Sequence, residues 1–340
     1  MMHSRLTFAF CAAALLVAAT CHAQDASTDI SNRTLPSPHR PPSIQNGVQI
    51  QKPQVEDYVA MLDNLPRTAS AKPKQPRRIL VMAHSAGFYH TAIPLIATTV
   101  KAMGEKTGAY ATDITYDAAD VNTANLAKYD AIVLPDTTQY FLDDRNDAAA
   151  TQARKDALMS FVRSGKGFVA LHAAGDSYHY PLAVGSPDLK PAWPEFNKMV
   201  GGFFKWHWNY PQGITVKFDD PKSPINKPLI SAYGSEFSIH DEIYTFAPDS
   251  FSRKNVHVLT SIDYAKMSPA DKALEPAATR CKDGDYALSW IHREGKGRVF
   301  YEALGHSEHI YAITPVMASV LAGIQYATGD LPADDSPSQK

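Results

Sequence analysis

The regular pattern of the chain opens at Ile79-Leu-Val-Met-Ala83, an unbroken apolar run of the kind a strand buried on both faces requires, and it ends at His84-Ser-Ala-Gly-Phe-Tyr-His90. Ile93, Ile96, Val100 and Met103 then recur at helical spacing, which predicts a helix over residues 93–106 with Gly108 just past its end. Residues 110–116 and 129–134 read as the next two strands, with a short helix closed by Leu126 between them and Pro135 as a stop. Leu158, Phe161 and Val162 mark the inward face of a helix over residues 154–164. After a glycine turn at Gly165 and Gly167, Phe168 to Leu171 forms a fourth apolar run that leads straight into His172-Ala-Ala-Gly-Asp176. Strands and helices alternating at these spacings require a parallel sheet with right-handed crossovers.

Beyond Ser177 the pattern changes. Residues 177–213 crowd aromatics and prolines together and read as a loop-rich insertion. Residues 214–218, 237–244 and 256–262 read as strands, and residues 286–292 and 297–304 as a pair joined across Arg293-Glu-Gly-Lys296. A last helix covers residues 315–328. Residues 24–76 are polar and proline-rich; only residues 55–65, with Val55, Tyr58, Val59 and Leu62 at helical spacing, suggest an element, and the rest reads as an extended arm. Residues 77–330 form the one domain of this division, and residues 331–340 a disordered polar tail.

Composition narrows the class. With 44% hydrophobic and 20% charged residues over 340 positions the chain is globular, and a formal net charge of -2 leaves no basic excess to hold a nucleic acid backbone. Residues 1–23 read as a signal peptide: Arg5 begins it, an apolar run too short for a membrane span follows, and Ala23 ends a cleavage site. The expectation is an exported, periplasmic or secreted protein with no transmembrane segment in its mature chain. Cys21 lacks the upstream aliphatic residue of a lipidation site, so export is preferred over a lipid anchor. Cleavage would leave Cys281 as the one cysteine, so no intrachain disulfide forms. The sequence does not give the oligomeric state.

Histidine dominates the candidate chemistry. His84, His172 and His306 each follow a strand directly, which places them along the carboxyl edge of a parallel sheet, where open α/β folds bind ligands. His90, His207 and His240 fall in adjacent loops. An imidazole can serve as general base, general acid or metal ligand near neutral pH, and any one of them can equally be a hydrogen-bonded structural residue. The His84–His90 segment, with Gly87 and Phe88, offers backbone N–H groups at a helix start, or else is a plain strand–helix turn. In Trp206-His207-Trp208 the indoles suit a sugar face, with core packing as the competing role. Asp241 and Glu242 are adjacent on a strand, so at most one of them reaches a given pocket. No cysteine follows a buried strand, and the serine-elbow, phosphate-loop and dinucleotide-loop motifs are missing, which argues against thiol, serine and nucleotide chemistry.

Gly87-Phe-x-His90, Gly165-x-Gly-Phe-Val-Ala-Leu-His172, Gly201-Gly-Phe-Phe with His207, Asp241-Glu-Ile-Tyr244 and Gly295-Lys-Gly-Arg-Val-Phe-Tyr-x-x-Leu-Gly-His306 together resemble the ThuA-like (trehalose utilisation) family over residues 78–329. The resemblance implies an α/β fold of the flavodoxin-like, class I glutamine amidotransferase-like type: a three-layer sandwich around a mostly parallel sheet, with His172 where an amidotransferase carries its catalytic cysteine. It also implies a link to trehalose and to oxidised (keto) sugars. The expected protein acts on a sugar or keto-sugar by isomerisation or glycoside cleavage. His172, His84, His207 and His306 are its candidate catalytic residues. Gly87, Phe88, His90, Asp176, Trp206, Asp241, Glu242 and Tyr244 are its candidate substrate contacts. A divalent metal is the cofactor such a histidine set would take, with its ligands unassigned. A non-catalytic carbohydrate-binding protein on the same scaffold, and a structural partner using the proline-rich arm, are the alternatives.

Overall fold

A computed structural model describes residues 44–338 except 46–47, 182–185, 187 and 248–249. The expected signal peptide lies outside the described residues. Nine strands form one sheet: β1 (Arg78–Met82), β2 (Ala111–Thr115), β3 (Ala131–Pro135), β4 (Gly167–Leu171), β5 (Phe204–Phe218), β6 (Glu236–Phe246), β7 (His257–Ile262), β8 (Ala287–Glu294) and β9 (Gly297–Glu302). Their spatial order is β6-β5-β7-β8-β9-β4-β3-β1-β2. The strands from β9 to β2 pair in parallel and the other four add on in antiparallel fashion, so seven of the nine point the same way. The sheet is mostly parallel, as the sequence pattern requires.

Helices cover both faces, giving the three-layer α/β sandwich. Among them are α1 (Val55–Asp63), α2 (Ile93–Thr107), α3 (Thr123–Leu126), α4 (Ala148–Arg163), α5 (Pro194–Val200), α6 (Lys227–Tyr233), α7 (Pro269–Leu274) and α8 (Thr314–Ala327). α8 lies on the Phe300 side of β9, so close that a Cβ at Gly323 would sit 2.2 Å from the Phe300 ring. On the opposite side Tyr301 stacks on Trp290, whose indole donates to the carbonyl of Val200 at the end of α5. α4 begins before the expected Arg154 because the Asp147 carboxylate caps the Ala150 N–H. Its alanine first turn has helical propensity but no apolar stripe to announce it.

Three readings of the sequence change: the insertion, the extended arm and the disordered tail. The span 177–213 is more regular than a loop-rich insertion: it contains α5 and the first two-thirds of the fifteen-residue β5. Pro211 is tolerated because it sits at a register shift. Asp241 pairs with Gln212 and Ile243 with Trp208, so β5 spends four steps where β6 spends two. The β5–β6 hairpin pairs with β7 through Val216 to Phe218, and its far half arches over the carboxyl edge of β4.

The arm packs on the domain from Gln49 onward. Gln49 bonds the backbone of Ala83 and Ser85, Gln325 brackets Ala71 through both its N–H and its carbonyl, and Arg77 pairs with Asp330. α1 turns Met61 inward, while Val55, Tyr58, Val59 and Leu62 face solvent. At the other end, Ser336 and Ser338 hydrogen-bond His257, Val256 and Val258, which holds the tail along β7.

Candidate functional site

The apolar run of β4 ends at His172, which takes a left-handed φ of 38°, a conformation that a non-glycine residue holds only when its surroundings fix it. Here Tyr301 donates to the His172 carbonyl at 2.7 Å, and the ring Nδ1–H donates to the carbonyl of Ala303, also at 2.7 Å. That second bond sets the tautomer and turns Nε2 away from the sheet. His306 follows β9 one residue after Gly305, whose φ is 138° and whose N–H donates to Asp241 at 2.7 Å. A Cβ at Gly305 would lie 2.3 Å from the Tyr311 hydroxyl, so glycine is required for the turn that delivers His306. His90, between β1 and α2, sets its ring edge-on to both His172 and His306, 5.5 and 5.0 Å between centroids.

Into this group the arched hairpin inserts Glu242. Its Oε2 lies 3.3 Å from His172 Nε2 and 3.2 Å from His306 Nδ1, and its Oε1 lies 3.3 Å from His207 Nδ1. One ligand atom each from His90, His172, Glu242 and His306 falls within 4.8 Å of all the others. An ion bound at about 2.0–2.1 Å by four such ligands spaces neighbouring ligand atoms by about 3.3 Å. The separations around Glu242 Oε2 match that spacing, so these residues fit a divalent cation. Tyr244, two residues further along β6, lays its ring 4.3 Å from that of His172 and 4.4 Å from Phe204.

The centre is buried and strongly polarised. Burial raises the proton affinity of the Glu242 carboxyl, but its bonds to His172 and His306 and the charge of His207 outweigh this and hold it well below the usual carboxylate range. Burial lowers that of His172, yet Glu242, Asp136 and Asp241 more than offset it and carry the imidazole up to about 9. His306 is raised by the same carboxylate despite its burial. His90 and His207 lie below their ordinary value, chiefly because of burial. Asp136, fully buried at φ 50° just past β3, is pushed up by burial to about 7, and Glu302 at the end of β9 to about 8.

The structure thus brings together His172, His306, His207, His90, Glu242 and Tyr244. It does not bring His84, which is only partly buried and interacts electrostatically with Asp117 and Arg154 instead. Gly87 does not offer its N–H to a ligand, since that group donates to Thr138 Oγ1; close packing against Gln139 is what demands a glycine there. Phe88 is half exposed and its ring stands against His90. Asp176 bonds His179 and reaches Glu242 and His207 only through its charge. Trp208 is core, donating to the Asp271 carbonyl, while the partly buried Trp206 stacks beside His207. Asp241 and Glu242 take opposite faces as expected: Asp241 holds Gly305 and Glu242 enters the centre. His207 and His240 lie on strands rather than in loops. Asp136 and Glu302 join the centre in addition to the candidates above, and each is a polar residue at the exit of an apolar strand, the same signal that marks His172.

These features define an α/β protein of the flavodoxin-like type with a histidine–carboxylate centre at the carboxyl edge of its sheet. The model of the ThuA family, described as trehalose utilisation, matches residues 78–327, and the chain belongs to that family. A solved ThuA-like protein from Bacteroides uniformis is similar at 23% identity and a TM-score of 0.55, covering 75% of this chain and 93% of its own. Another, from Parabacteroides merdae, is 16% identical with a TM-score of 0.48, covering 76% of this chain and 93% of its own. Among curated proteins, none matches the chain.

Proposed function

We propose that the protein is an exported enzyme that acts on a sugar or keto-sugar at this centre, with His90, His172, Glu242 and His306 holding a divalent cation. The observation that carries the reading is Glu242 Oε2 set at ligand–ligand distance from two imidazoles, with the His172 tautomer already fixed by Ala303. A cation bound there supplies Lewis acidity toward a carbonyl or hydroxyl oxygen of the sugar. The chain supplies the rest. His207 has 20% of its side chain exposed and burial lowers its proton affinity, so it can take a proton from a carbon made acidic by a neighbouring keto group and return it. Tyr244 and Phe204 wall the inner side, and Trp206 offers an indole face beside His207. Export rests on the pattern of residues 1–23.

Metal analysis of the purified full chain, paired with assays of His172→Ala on keto-sugars, tests this. The expected result is one divalent ion per chain in the wild type, with both metal and turnover lost in the variant. A folded variant that turns over keto-sugars as the wild type does would sink the reading. Sugar binding without turnover in the metal-loaded wild type would favour the non-catalytic alternative.

A further inference from the structure

A cavity of about 760 Å³ opens between the end of β6, where Tyr244 lines it, and the segments around residues 251–254 and 277–287. The volume suits a small organic molecule. Four aromatic residues line it: Tyr244, Phe246, Phe251 and Tyr286. Phe246 and Phe251 pack on each other and on Trp290, and the Tyr286 hydroxyl bonds Glu275, so these rings are held in place.

The polar groups of the wall are largely spent within the protein. Arg253 is neutralised by Asp219 and Asp285, at 2.8 and 2.7 Å, and the Thr279 hydroxyl donates to the Pro276 carbonyl. Two exposed cations stand at the rim, Lys254 and Lys282, while Arg280 donates to the carbonyls of Lys272 and Glu275 and faces the Glu275 charge. Of the two acids in the lining, Asp285 is taken by Arg253 and Asp283 accepts from the Cys281 thiol and the Asp285 N–H. An aromatic floor with few open hydrogen-bonding groups and a cationic rim is poorly matched to a second sugar ring, which needs paired hydroxyls. It is well matched to a flat ring that carries an anion.

We propose that this cavity binds the non-sugar half of a glycoside, an aromatic group bearing a carboxylate, while the sugar half lies at the histidine centre. The proposal rests on the reading of that centre as sugar-directed. Tyr244 is the shared wall: its ring touches His172, and the same residue lines the cavity. A substrate spanning both would place its glycosidic bond beside Tyr244.

Calorimetric titration of the full chain with 4-hydroxybenzoate and phenol tests it. The expected result is saturable binding of 4-hydroxybenzoate, about tenfold tighter than phenol, the equivalent of one favourable charge contact. Lys254→Glu combined with Lys282→Glu, both at exposed positions, removes that advantage and leaves phenol binding unchanged. Phe251→Ala weakens both aromatic ligands together. His172→Ala binds 4-hydroxybenzoate as the wild type does, so loss of the catalytic reading and loss of this one are told apart. Equal affinities for 4-hydroxybenzoate and phenol, or an advantage that survives the charge reversal, would each overturn the proposal.

Discussion

The centre is built by two halves of the sheet that were made in different ways. The parallel half delivers its histidines by strand exits: His172 directly after β4, His306 after β9, and His90 from the loop after β1. The position of each is fixed by backbone, through the Ala303 carbonyl, the Gly305 turn and the start of α2. The antiparallel half delivers Glu242, His207 and Tyr244 from a two-stranded arch that is free of β7 over most of its length. The parallel half therefore presents a preformed set of imidazoles, and the hairpin brings the negative charge that makes their burial tolerable. Neither half is a site alone.

Removing the carboxylate should break the comparison most completely. Glu242→Gln keeps the shape and takes away the charge that faces three imidazoles, so turnover is expected to fall on the order of 10³-fold. Bound metal should fall with it. A variant with wild-type metal content and rate would mean that the hairpin contributes only a lid. Gly305→Ala attacks the other half from its backbone. The substitution is strained at φ 138° and drives a methyl group toward the Tyr311 hydroxyl, so His306 must shift. A displacement of about 1 Å in such a ligand costs on the order of 10²-fold in kcat/KM. Activity within a few-fold of wild type would show that His306 is not held by the turn.

The acid–base behaviour of the metal-free protein sharpens the comparison further. His172 carries a folded-state pKa of about 9 against 6.5 for a free histidine, so its contribution to stability is complete below pH 6.5 and is lost as pH rises to 9. Asp136 and Glu302 act in the same direction over a lower window: burial raises them from 3.8 and 4.5 to about 7 and about 8, so their contribution is complete in acid and is lost as pH rises between those values, leaving His172 to carry the decline up to pH 9. Glu242 is the opposite case. Its depressed pKa stabilises the fold above the ordinary carboxylate range, and that contribution is lost in acid. Chelator-treated protein should therefore show a Tm that declines between pH 6.5 and 9, and in Glu242→Gln the acid-side loss should shrink. A flat alkaline limb would mean that the imidazoles and acids of the centre are not coupled as their packing implies.

What could be read from the sequence follows the same division. β4 with His172 and β9 with His306 are legible because an apolar run that stops at a polar residue is a purely local signal. Glu242 is legible as one of an adjacent acidic pair, and strand alternation sends one member inward. The first half of β5 carries a strand signal, since Phe204, Trp206, Trp208 and Tyr210 alternate with Lys205, His207 and Asn209, but Pro211 breaks the pattern, and the register shift that accommodates it depends on β6. Which imidazoles converge is not a local property at all. His84 obeys the strand-exit rule and His90 does not, yet His90 joins the centre.

The smallest expected effect is therefore the most discriminating. Ser85 Oγ bonds both Thr138 Oγ1 and the Phe88 carbonyl, which folds the loop after β1 against the exit of β3. The fold carries His90 onto His172 and His306 and leaves His84 on the outer side, near Asp117 and Arg154. His84→Ala should change kcat/KM by no more than about threefold, the scale of an ordinary surface substitution of about 0.5 kcal/mol, and should leave metal content alone. His90→Ala, only six residues away, removes a ligand and should weaken metal binding by at least about 10- to 100-fold, the cost of losing a group that merely orients one. If the two variants were to behave alike, or in the reverse order, the strand-exit rule would outrank the observed loop geometry, and the centre would have to be redrawn around His84.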